Sequence, residues 1–461
     1  IGIESDEELA ADEELRREIP DRGVIAKLKI GKDQGILFDA VFSEAFREHL
    51  LEQFIENKQK GELLFVTEER IELEEENFRS RLIDTESRQT VITYDDEYVL
   101  KLYRKLDLTF NPDVETVKFL SRANFKHISP YQGSMEFHKI SGKPYILGML
   151  QKVTENQGEV WQYMKDSADR YFENVLTNTK HFKREKTEGR LTQAISYEEI
   201  PENMRELLGV IVPERVHQLG KFTAELHKKL SEDTRDDDFD KEESSLHYQR
   251  SLFSGLQTLT RTSLQHLKTK MGELPEDVQQ EAREVIRMRE EILNCFKDIY
   301  DHKIPVMKIR THGDYHLKQI LWTGKEYIMN SFEGDPSRSF SERRIRRSAM
   351  RDLAAMIRSF HYVTYSSILS SEFDQQRKEG KLETWAEDWH YYISRLFLKG
   401  YFENAENADF VPASREDFRI LMHTFLLEKA LYELSYELRN RPEWVIIPLR
   451  GIKAIVKYHR K

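Results

Sequence analysis

The spacing of hydrophobic residues changes character near residue 155. Before it, apolar residues mostly alternate with polar ones over short runs, and TVITYDDEYVLKLY is typical of two strands joined by an acidic turn at Asp95 and Asp96. After it, apolar residues recur at helical spacing, first in WQYMKDSADRYFENVL and then through most of the remaining sequence. The pattern predicts an α+β protein in which a small β-rich part precedes a large helical part.

Two helices are predicted within the β-rich part, and one loop within the helical part. SEAFREHLLEQFIENK has its apolar residues at helical spacing. NPDVETVKFLS has strong start signals, with Asn111 as N-cap and Pro112 at the first helical position. SEDTRDDDFDKEESS is acidic and lacks an apolar period, so we expect a surface loop there.

Composition and charge narrow the functional classes. Hydrophobic residues make up 39% and charged residues 33%, and the net charge of −11 argues against a nucleic-acid-binding protein. The basic run Arg343–Arg347 is either a local anion site or a solvated helix face. One cysteine, Cys295, excludes a disulfide framework, and no apolar run approaches the roughly 20 residues of a membrane helix. We expect a cytoplasmic protein without nucleic-acid or membrane partners.

Lys101 lies in the middle of EYVLKLY, a predicted strand with bulky residues on both faces. A lysine at such a position is costly unless its ammonium group has an acceptor. A nucleotide phosphate is one candidate acceptor, and Glu115, in the helix that follows Asn111, is another. The simpler alternative is a side chain that extends to water along its apolar stem.

HGDYHLKQ places Asp314 two residues after His312 and five before Gln319. A hydroxyl group that attacks phosphorus needs an acceptor for its proton, and an aspartate on a short rigid loop supplies one. Gln319 can turn an amide oxygen towards Mg²⁺, with less charge than a carboxylate has. We expect His312 and His316 to brace the loop through hydrogen bonds.

The cluster SFEG, at residues 331–334, stands where a phosphotransferase normally has a metal-binding carboxylate. Mg²⁺ favours charged oxygens, whereas Ser331 offers a neutral hydroxyl group. Glu333 points to the same face as Ser331 if the strand before them continues. Asp335 lies past Gly334 and is less constrained.

These motifs together resemble those of the bacterial maltokinases, including the kinase half of trehalose synthase–maltokinase fusion proteins. The likeness extends over most of the chain from about Gly35. It is carried by RTHGDYHLKQILWT, VLKLYRKL followed by NPDVE, FEGDPSRSFSERRIRRSAMRDLAAMIRSFHY, and LYELSYELRNRPEWVIIPLRGI.

The resemblance implies a bilobal, aminoglycoside-phosphotransferase-like kinase fold with an N-terminal cap domain. The cap would occupy residues 1–78 and begin partway through, followed by a nucleotide-binding β-rich lobe at 79–155 and a helical catalytic and sugar-binding lobe at 156–461. The implied activity is the ATP-dependent and Mg²⁺-dependent phosphorylation of maltose to maltose 1-phosphate, which feeds α-glucan synthesis. A trehalose synthase, fused or separate, is the implied protein partner.

Carried over by position, the resemblance also implies roles for individual residues. Asp314 would be the catalytic base, Gln319 and Glu333 would be magnesium ligands, and Lys101, paired with Glu115, would hold the ATP phosphates. The remaining nucleotide contacts would be Arg88 and Thr90 in the phosphate-covering turn, and Met149, Gln151 and Val153 in the hinge that meets the adenine. The candidate sugar contacts are His316, Asp352, Arg358, Tyr432, Arg441 and Trp444.

The chain departs from the family pattern at two places. Ser331 replaces the aspartate of the family's Asp-Phe-Glu-Gly motif, and Arg88 with Gln89 replaces small polar residues in the phosphate-covering turn. One reading is an active maltokinase in which Glu333 and Gln319 hold Mg²⁺. A second is a kinase-fold module with weakened or lost catalysis that binds nucleotide or sugar, or supports a trehalose synthase. A third, a kinase for an aminoglycoside or another small alcohol, is disfavoured by the block 332–362.

Overall fold

The structure is a computed structural model that describes residues 2–5, 19–71, 78–83, 89–106, 110–139, 143–178, 189–232, 236–370, 372–373, 375 and 380–459. The chain divides into two compact units. The first comprises Ile1–Glu155 with Arg338–Ser341, and the second comprises Asn156–Ser337 with Glu342–Lys461. Within the described ranges, no helix combines the length and the apolar character that a membrane crossing requires.

The first unit is built on two antiparallel sheets. Its strands and helices are β1 (Gly2–Ser5), β2 (Val24–Ile30), β3 (Asp33–Phe38), α1 (Glu44–Ile55), β4 (Gln59–Lys60), β5 (Leu63–Thr67), β6 (Ser80–Ile83), β7 (Gln89–Tyr94), β8 (Tyr98–Tyr103), α2 (Pro112–Arg122), β9 (Tyr131–Phe137) and β10 (Tyr145–Lys152). The smaller sheet has the order β1-β3-β2 and the larger has the order β4-β5-β9-β10-β8-β7-β6. Since β4 and β5 belong to the larger sheet, that sheet begins before residue 78, where the cap domain was expected to end.

One apolar cluster fixes the larger sheet. Leu51 and Phe54 of α1 are fully buried against it, and Phe54 meets Phe65 of β5 edge to face, with ring centroids 5.1 Å apart. Strand β8 runs between β10 and β7, where Lys101 is opposite Met149 on one side and Val91 on the other. The lysine backbone is therefore held on both sides by strand pairing.

Two local predictions from the sequence are confirmed in this unit. The side chain of Asn111 accepts a hydrogen bond from the backbone N–H of Asp113 at 2.9 Å, and Pro112 is the first residue of α2. Strands β7 and β8 form a hairpin whose turn begins at Asp95, with φ of 46°. Aspartate tolerates this left-handed conformation better than most residues.

The second unit is mainly helical. Its elements are α3 (Val160–Asn178), α4 (Glu202–Leu208), α5 (Ile211–Leu230), β11 (Glu242–Glu243), α6 (Leu246–Lys270), α7 (Glu276–Arg287), α8 (Arg289–Asp301), β12 (Met307–Lys308), β13 (Ile320–Trp322), β14 (Tyr327–Met329), α9 (Phe340–Arg343, which spans the chain boundary between the units), α10 (Met350–Ile368), α11 (Glu383–Asn404), α12 (Arg415–Asn440) and α13 (Ile446–His459). Strands β11 and β12 pair with each other, as do β13 and β14. Helix α10 is buried along almost its whole length and packs against α11 and α12.

Helices α5 and α11 approach each other so closely that their backbones touch at two glycines. A Cβ atom on Gly220 would lie 2.1 Å from the carbonyl oxygen of Phe397, and one on Gly400 would lie 1.9 Å from that of His217. These separations are far inside van der Waals contact. The close approach brings His227 of α5 to Tyr401 of α11, whose hydroxyl group lies 2.9 Å from the His227 Nδ1.

The first prediction concerns this glycine contact. Gly400→Ala should lower the free energy of unfolding by about 3 kcal/mol or more, because the new methyl group forces the two helices apart. Gly255→Ala on α6 is the matched control, since a Cβ there meets nothing within 4 Å. The control should be neutral or stabilising by up to about 1 kcal/mol. Urea unfolding of both variants measures the difference, and equal stabilities would contradict the close packing.

Candidate functional site

The loop that carries Asp314 is held in place by hydrogen bonds to one buried carboxylate. Asp352, on α10, is 2% exposed. It accepts backbone hydrogen bonds from His312 at 2.8 Å and from Gly313 at 3.1 Å, one at each carboxylate oxygen. Gly313 has φ of 80°, a conformation that glycine adopts without strain, so the chain turns sharply just before Asp314.

A histidine provides the third hydrogen bond to the Asp352 carboxylate. His227 is completely buried, and its Nε2 lies 3.2 Å from Asp352 Oδ2. Burial raises the pKa of Asp352, but the hydrogen bond from His227 and the backbone N–H of His312 outweigh it, so the pKa lies below its ordinary value. The ionised carboxylate therefore accepts hydrogen bonds from the loop at both oxygens and is also in contact with His227. This geometry supports a positioning role for Asp352 under the loop, while the sugar contact expected for it from the sequence stays a prediction.

Asp314 faces a lysine that the sequence analysis did not name. Lys429, on α12, places its Nζ 3.4 Å from Asp314 Oδ1, and His316 Nε2 lies 3.5 Å from Oδ2. Desolvation raises the pKa of Asp314, but the Lys429 ammonium and His316 outweigh it and hold the pKa well below the usual range. Asp314 is still 23% exposed, so an incoming hydroxyl group can reach it. It is an ionised acceptor suited to orienting that group and to taking its proton late in the reaction.

His312 braces the loop, as expected from the sequence. It is 1% exposed, its Nε2 lies 2.9 Å from the carbonyl oxygen of Asn330, and its ring packs against Phe332 with centroids 4.8 Å apart. Burial lowers its pKa. The imidazole ring thus joins the loop before Asp314 to the segment that follows β14.

That segment differs from the sequence prediction in its backbone. The hairpin β13–β14 pairs Ile320 with Met329, and the N–H of Asn330 donates to the carbonyl of Gln319 at 2.9 Å. The strand ends at Met329, and Ser331 has φ of 59°. The expectation that Glu333 shares a face with Ser331 depended on a continuing strand. Because the strand ends before both residues, the alternation of side chains along a strand does not apply to them. The left-handed backbone conformation at Ser331 interrupts the extended conformation before Glu333.

The conformation at Ser331 is one that aspartate and asparagine adopt more readily than serine does. Among the described residues, the other non-glycine positions with positive φ are all asparagine or aspartate: Asn57, Asp95, Asn124 and Asn407. The backbone at residue 331 therefore has the shape that suits an aspartate, although the side chain is that of serine.

The donor groups near this turn fit Mg²⁺ only in part. Gln319 contributes an amide oxygen, Ser331 a hydroxyl group and Glu333 the one carboxylate of the proposed set. The described residues contain no group of three or more His, Cys, Asp or Glu side chains arranged to hold a metal ion. Mg²⁺ commonly takes one or two carboxylates and completes its shell with phosphates and water. The set thus fits an ion that arrives with a nucleotide, and does not fit an all-protein cage.

A polar face on α10 and α12 adjoins Lys429. Arg358 is 2% exposed and donates to Glu433 at 2.9 and 2.7 Å. One turn further along α12, Glu437 accepts hydrogen bonds from Tyr362 at 3.0 Å and from Arg441 at 2.9 and 2.7 Å. Burial raises the pKa of Glu437, and Arg441 acts against that rise.

Aromatic rings border the same polar face. Trp444 stacks on Tyr362 with centroids 6.1 Å apart, and the Arg441 guanidinium lies 4.6 Å from the Trp444 ring. Tyr432 donates to Asp335 at 3.1 Å, and Lys429 lies 5.6 Å from its ring centroid. The structure thus brings together four of the six candidate sugar contacts, namely Arg358, Tyr432, Arg441 and Trp444.

Sequence reasoning missed Lys429, Glu433 and Glu437, although a signal for them existed. Together with Tyr432, they recur at intervals of three and four residues along a helix that is otherwise largely buried and apolar. Such spacing puts polar groups on one face. The identity of their partners, in contrast, follows only from the packing of α12 against α10.

In the first unit, Lys101 has a buried acidic partner. It is 5% exposed, and its Nζ lies 3.6 Å from Oδ2 of Asp113, which also accepts a hydrogen bond from Tyr103 at 3.0 Å. The predicted partner was Glu115, two residues further along α2. Asp113 is thus within ion-pair distance of Lys101, and the pairing of Lys101 with Glu115 stays a prediction.

The other predicted nucleotide contacts occupy the same unit. Met149 is fully buried opposite Lys101, and the side-chain amide of Gln151 donates to the carbonyl of Ser129 at 2.8 Å. The N–H of Val153 bonds to the carbonyl of Glu97 at 2.8 Å, and Thr90 accepts a hydrogen bond from Arg104 at 2.7 Å. Arg88 lies outside the described residues.

Comparison with known proteins identifies the fold. No family model matches the chain. A structure of glucosamine kinase (crystal form B) matches with a TM-score of 0.63 and 16% identity, covering 94% of this chain and 93% of that one. A glucosamine kinase in complex with glucosamine, ADP and inorganic phosphate matches with a TM-score of 0.62 and 16% identity, covering 93% and 94%. The predicted α+β, bilobal kinase fold is confirmed, and at this identity the likeness extends to the fold alone.

The second prediction tests the pairing of Asp314 with Lys429. Lys429→Met should lower kcat about 10- to 100-fold, because the loop aspartate loses the cation that orients it. Asp314→Asn should abolish turnover with little change in melting temperature. In the Asp314→Asn background, Lys429→Met should change turnover little further.

The matched control is Lys453→Met, which removes a lysine that bonds to Glu281 at 3.3 Å and also to Glu284. We expect its kcat to be unchanged. Steady-state kinetics of the four variants provide the comparison. Turnover by Asp314→Asn close to that of the unmodified chain would contradict the role given to this loop.

Proposed function

We propose that this protein transfers the γ-phosphoryl group of ATP to the anomeric hydroxyl group of a neutral sugar, with maltose as the acceptor and maltose 1-phosphate as the product. The observation that carries the proposal is the Asp314–Lys429 pair, on a loop fixed by Asp352, within a kinase fold. The sequence resemblance to the maltokinases supports the choice of acceptor. That resemblance also motivates a trehalose synthase as the protein partner.

The reaction is a direct displacement. The acceptor hydroxyl oxygen forms a bond to the γ-phosphorus, the bond from that phosphorus to the bridging oxygen of ADP breaks, and the hydroxyl proton moves to Asp314. Lys429 and His316 keep the Asp314 carboxylate ionised and oriented before transfer. Lys101, buried beside Asp113, supplies the ammonium group assigned to the nucleotide phosphates. Bound Mg²⁺, for which Gln319 and Glu333 are the proposed ligands, would neutralise charge on the phosphates.

The charge of the polar face favours a neutral acceptor over an amino sugar. An ammonium group on the substrate is held best by a carboxylate that does not already pair with a cation. Glu433 is already bonded by Arg358, and Glu437 by Tyr362 and Arg441. Trp444, which stacks on the buried Tyr362, adds an aromatic ring of the kind that packs against a sugar ring.

A second candidate function rests on Ser331. Loss of a metal-binding carboxylate removes charge stabilisation that is worth several kcal/mol in metal-assisted reactions. A protein with this change can still bind nucleotide and sugar without transferring phosphate at a useful rate. The alternative is therefore a kinase-fold binding module, which could support a trehalose synthase partner.

The third prediction separates these two candidates. Ser331→Asp should raise kcat at least about tenfold, because it restores a carboxylate at a position whose backbone already suits aspartate. Ser331→Asn is the matched control, since asparagine fits the same backbone without adding charge, and its kcat should stay close to that of the unmodified chain. Equal, measurable rates for all three proteins would show that the reaction needs no carboxylate at position 331. No turnover by any of them would favour the binding module.

The fourth prediction concerns the acceptor. With ATP and Mg²⁺ present, ADP release should be stimulated by maltose, with a kcat/KM at least about 100-fold above that for glucosamine, because the carboxylates of the polar face are already paired. A coupled ADP assay on both sugars measures the ratio, and the melting temperature with each sugar reports binding separately. Preference for glucosamine would overturn the neutral-sugar assignment.

A further inference from the structure

The basic run Arg343–Arg347 is neither a free anion site nor a solvated face. Arg344 pairs with Asp238 at 2.9 Å, and Arg346 donates to the carbonyl oxygen of Asp240 at 2.7 Å. These contacts fasten the acidic segment 236–240, which is further anchored by Phe239 at 1% exposure. The basic run therefore makes contacts within the protein. Its first residue, Arg343, contacts a different segment from Arg344 and Arg346.

Arg343 donates hydrogen bonds to two backbone carbonyl groups in the turn that follows Ser331. Its guanidinium group donates to the carbonyl oxygen of Glu333 at 3.3 Å and to that of Pro336 at 3.0 Å. Its aliphatic stem covers Gly334, where a Cβ atom would lie 3.4 Å from the Arg343 Cβ. The planar guanidinium group has several donors and can bond to two carbonyl groups at once. A lysine ammonium group on its flexible stem is less suited to this.

On its other side, the same turn touches the catalytic loop. A Cβ atom on Gly313 would lie 3.2 Å from the Cα of Gly334, so the two backbones are in contact at these glycines. Gly313 directly precedes Asp314, and its N–H is held by Asp352. Gly334 therefore lies close to both Gly313 and Arg343.

We propose that Arg343 is a positioning residue that presses the turn 331–335 against the catalytic loop. It thereby sets the separation between Asp314 and the oxygen donors of Ser331 and Glu333. The consequence for catalysis rests on the proposed phosphoryl transfer, whereas the consequence for the turn itself does not. When a contact that orients a metal ligand without touching the metal is removed, metal affinity or activity typically falls by about 10- to 100-fold.

The test replaces Arg343 by methionine, which keeps an apolar stem without the donor fork, and by lysine, which keeps the charge. Amide hydrogen exchange in residues 329–337 should be at least about tenfold faster in Arg343→Met, because the two carbonyl contacts are lost. Arg343→Lys should be intermediate. Exchange in α11 should be unchanged in both variants, which shows that the fold is retained.

The matched control is Arg344→Met, from the same basic run. It should accelerate exchange in residues 236–240 and leave residues 329–337 unchanged, because Arg344 pairs with Asp238. In turnover assays, Arg343→Met should lower kcat about 10- to 100-fold and raise the Mg²⁺ concentration for half-maximal rate, with the KM for sugar within about twofold of the unmodified value.

The two kinds of readout separate the proposals. If the unmodified chain shows no turnover, the proposed function fails, but the exchange measurement still decides the role of Arg343. Unchanged exchange of residues 329–337 in Arg343→Met would overturn the inference. An equal effect of Arg344→Met on those residues would overturn it as well, since the effect would then belong to the basic run as a whole.

Discussion

The candidate site depends on how the chain satisfies one buried negative charge. A carboxylate out of water costs several kcal/mol unless hydrogen bonds replace its hydration. Asp352 receives the backbone N–H groups of His312 and Gly313, and the imidazole of His227. Two of these three donors belong to the loop that bears Asp314. The loop therefore cannot leave this position without exposing an unsatisfied charge.

The remaining parts of the site are arranged around that anchor. Asp314, next along the loop, meets Lys429 of α12, and α12 is tied to α10 by the pairs Arg351–Glu428 at 2.6 Å and Arg358–Glu433 at 2.7 Å. The first pair adjoins Asp352 and Lys429 in sequence, and the second belongs to the polar face. Two helices tied together in this way form a rigid frame, which is the kind of support that the proposed acceptor hydroxyl group would require.

Sequence reasoning predicted the features that are encoded locally. The hairpin at Asp95, the start of α2 at Asn111, the change to helices after residue 155 and the loop bearing Asp314 all follow from short patterns, and the confirmed kinase fold agrees with them. It could not assign the partners that arise from long-range packing. Asp113 for Lys101 and Lys429 for Asp314 are set by which strands and helices become neighbours.

The face that Ser331 and Glu333 would share in a continuing strand does not form, for a local reason. Alternation assumes an extended backbone, and one residue in the left-handed region, Ser331, ends it. The contacts of Arg343 and Asp352 could not be predicted for a different reason, because both are made to backbone groups. Contacts to carbonyl and N–H groups leave no pairing signal between side chains in a single sequence.

Phosphorus NMR of the protein incubated with ATP, Mg²⁺ and maltose tests the central claim most directly, because it identifies the bond that is formed. The account predicts a new phosphate ester signal coupled to the anomeric proton of the sugar, rising in step with ADP. Inorganic phosphate without an ester signal, or an ester at another hydroxyl group, would contradict transfer to the anomeric oxygen. ATP that remains intact in the presence of maltose would contradict the proposed activity itself.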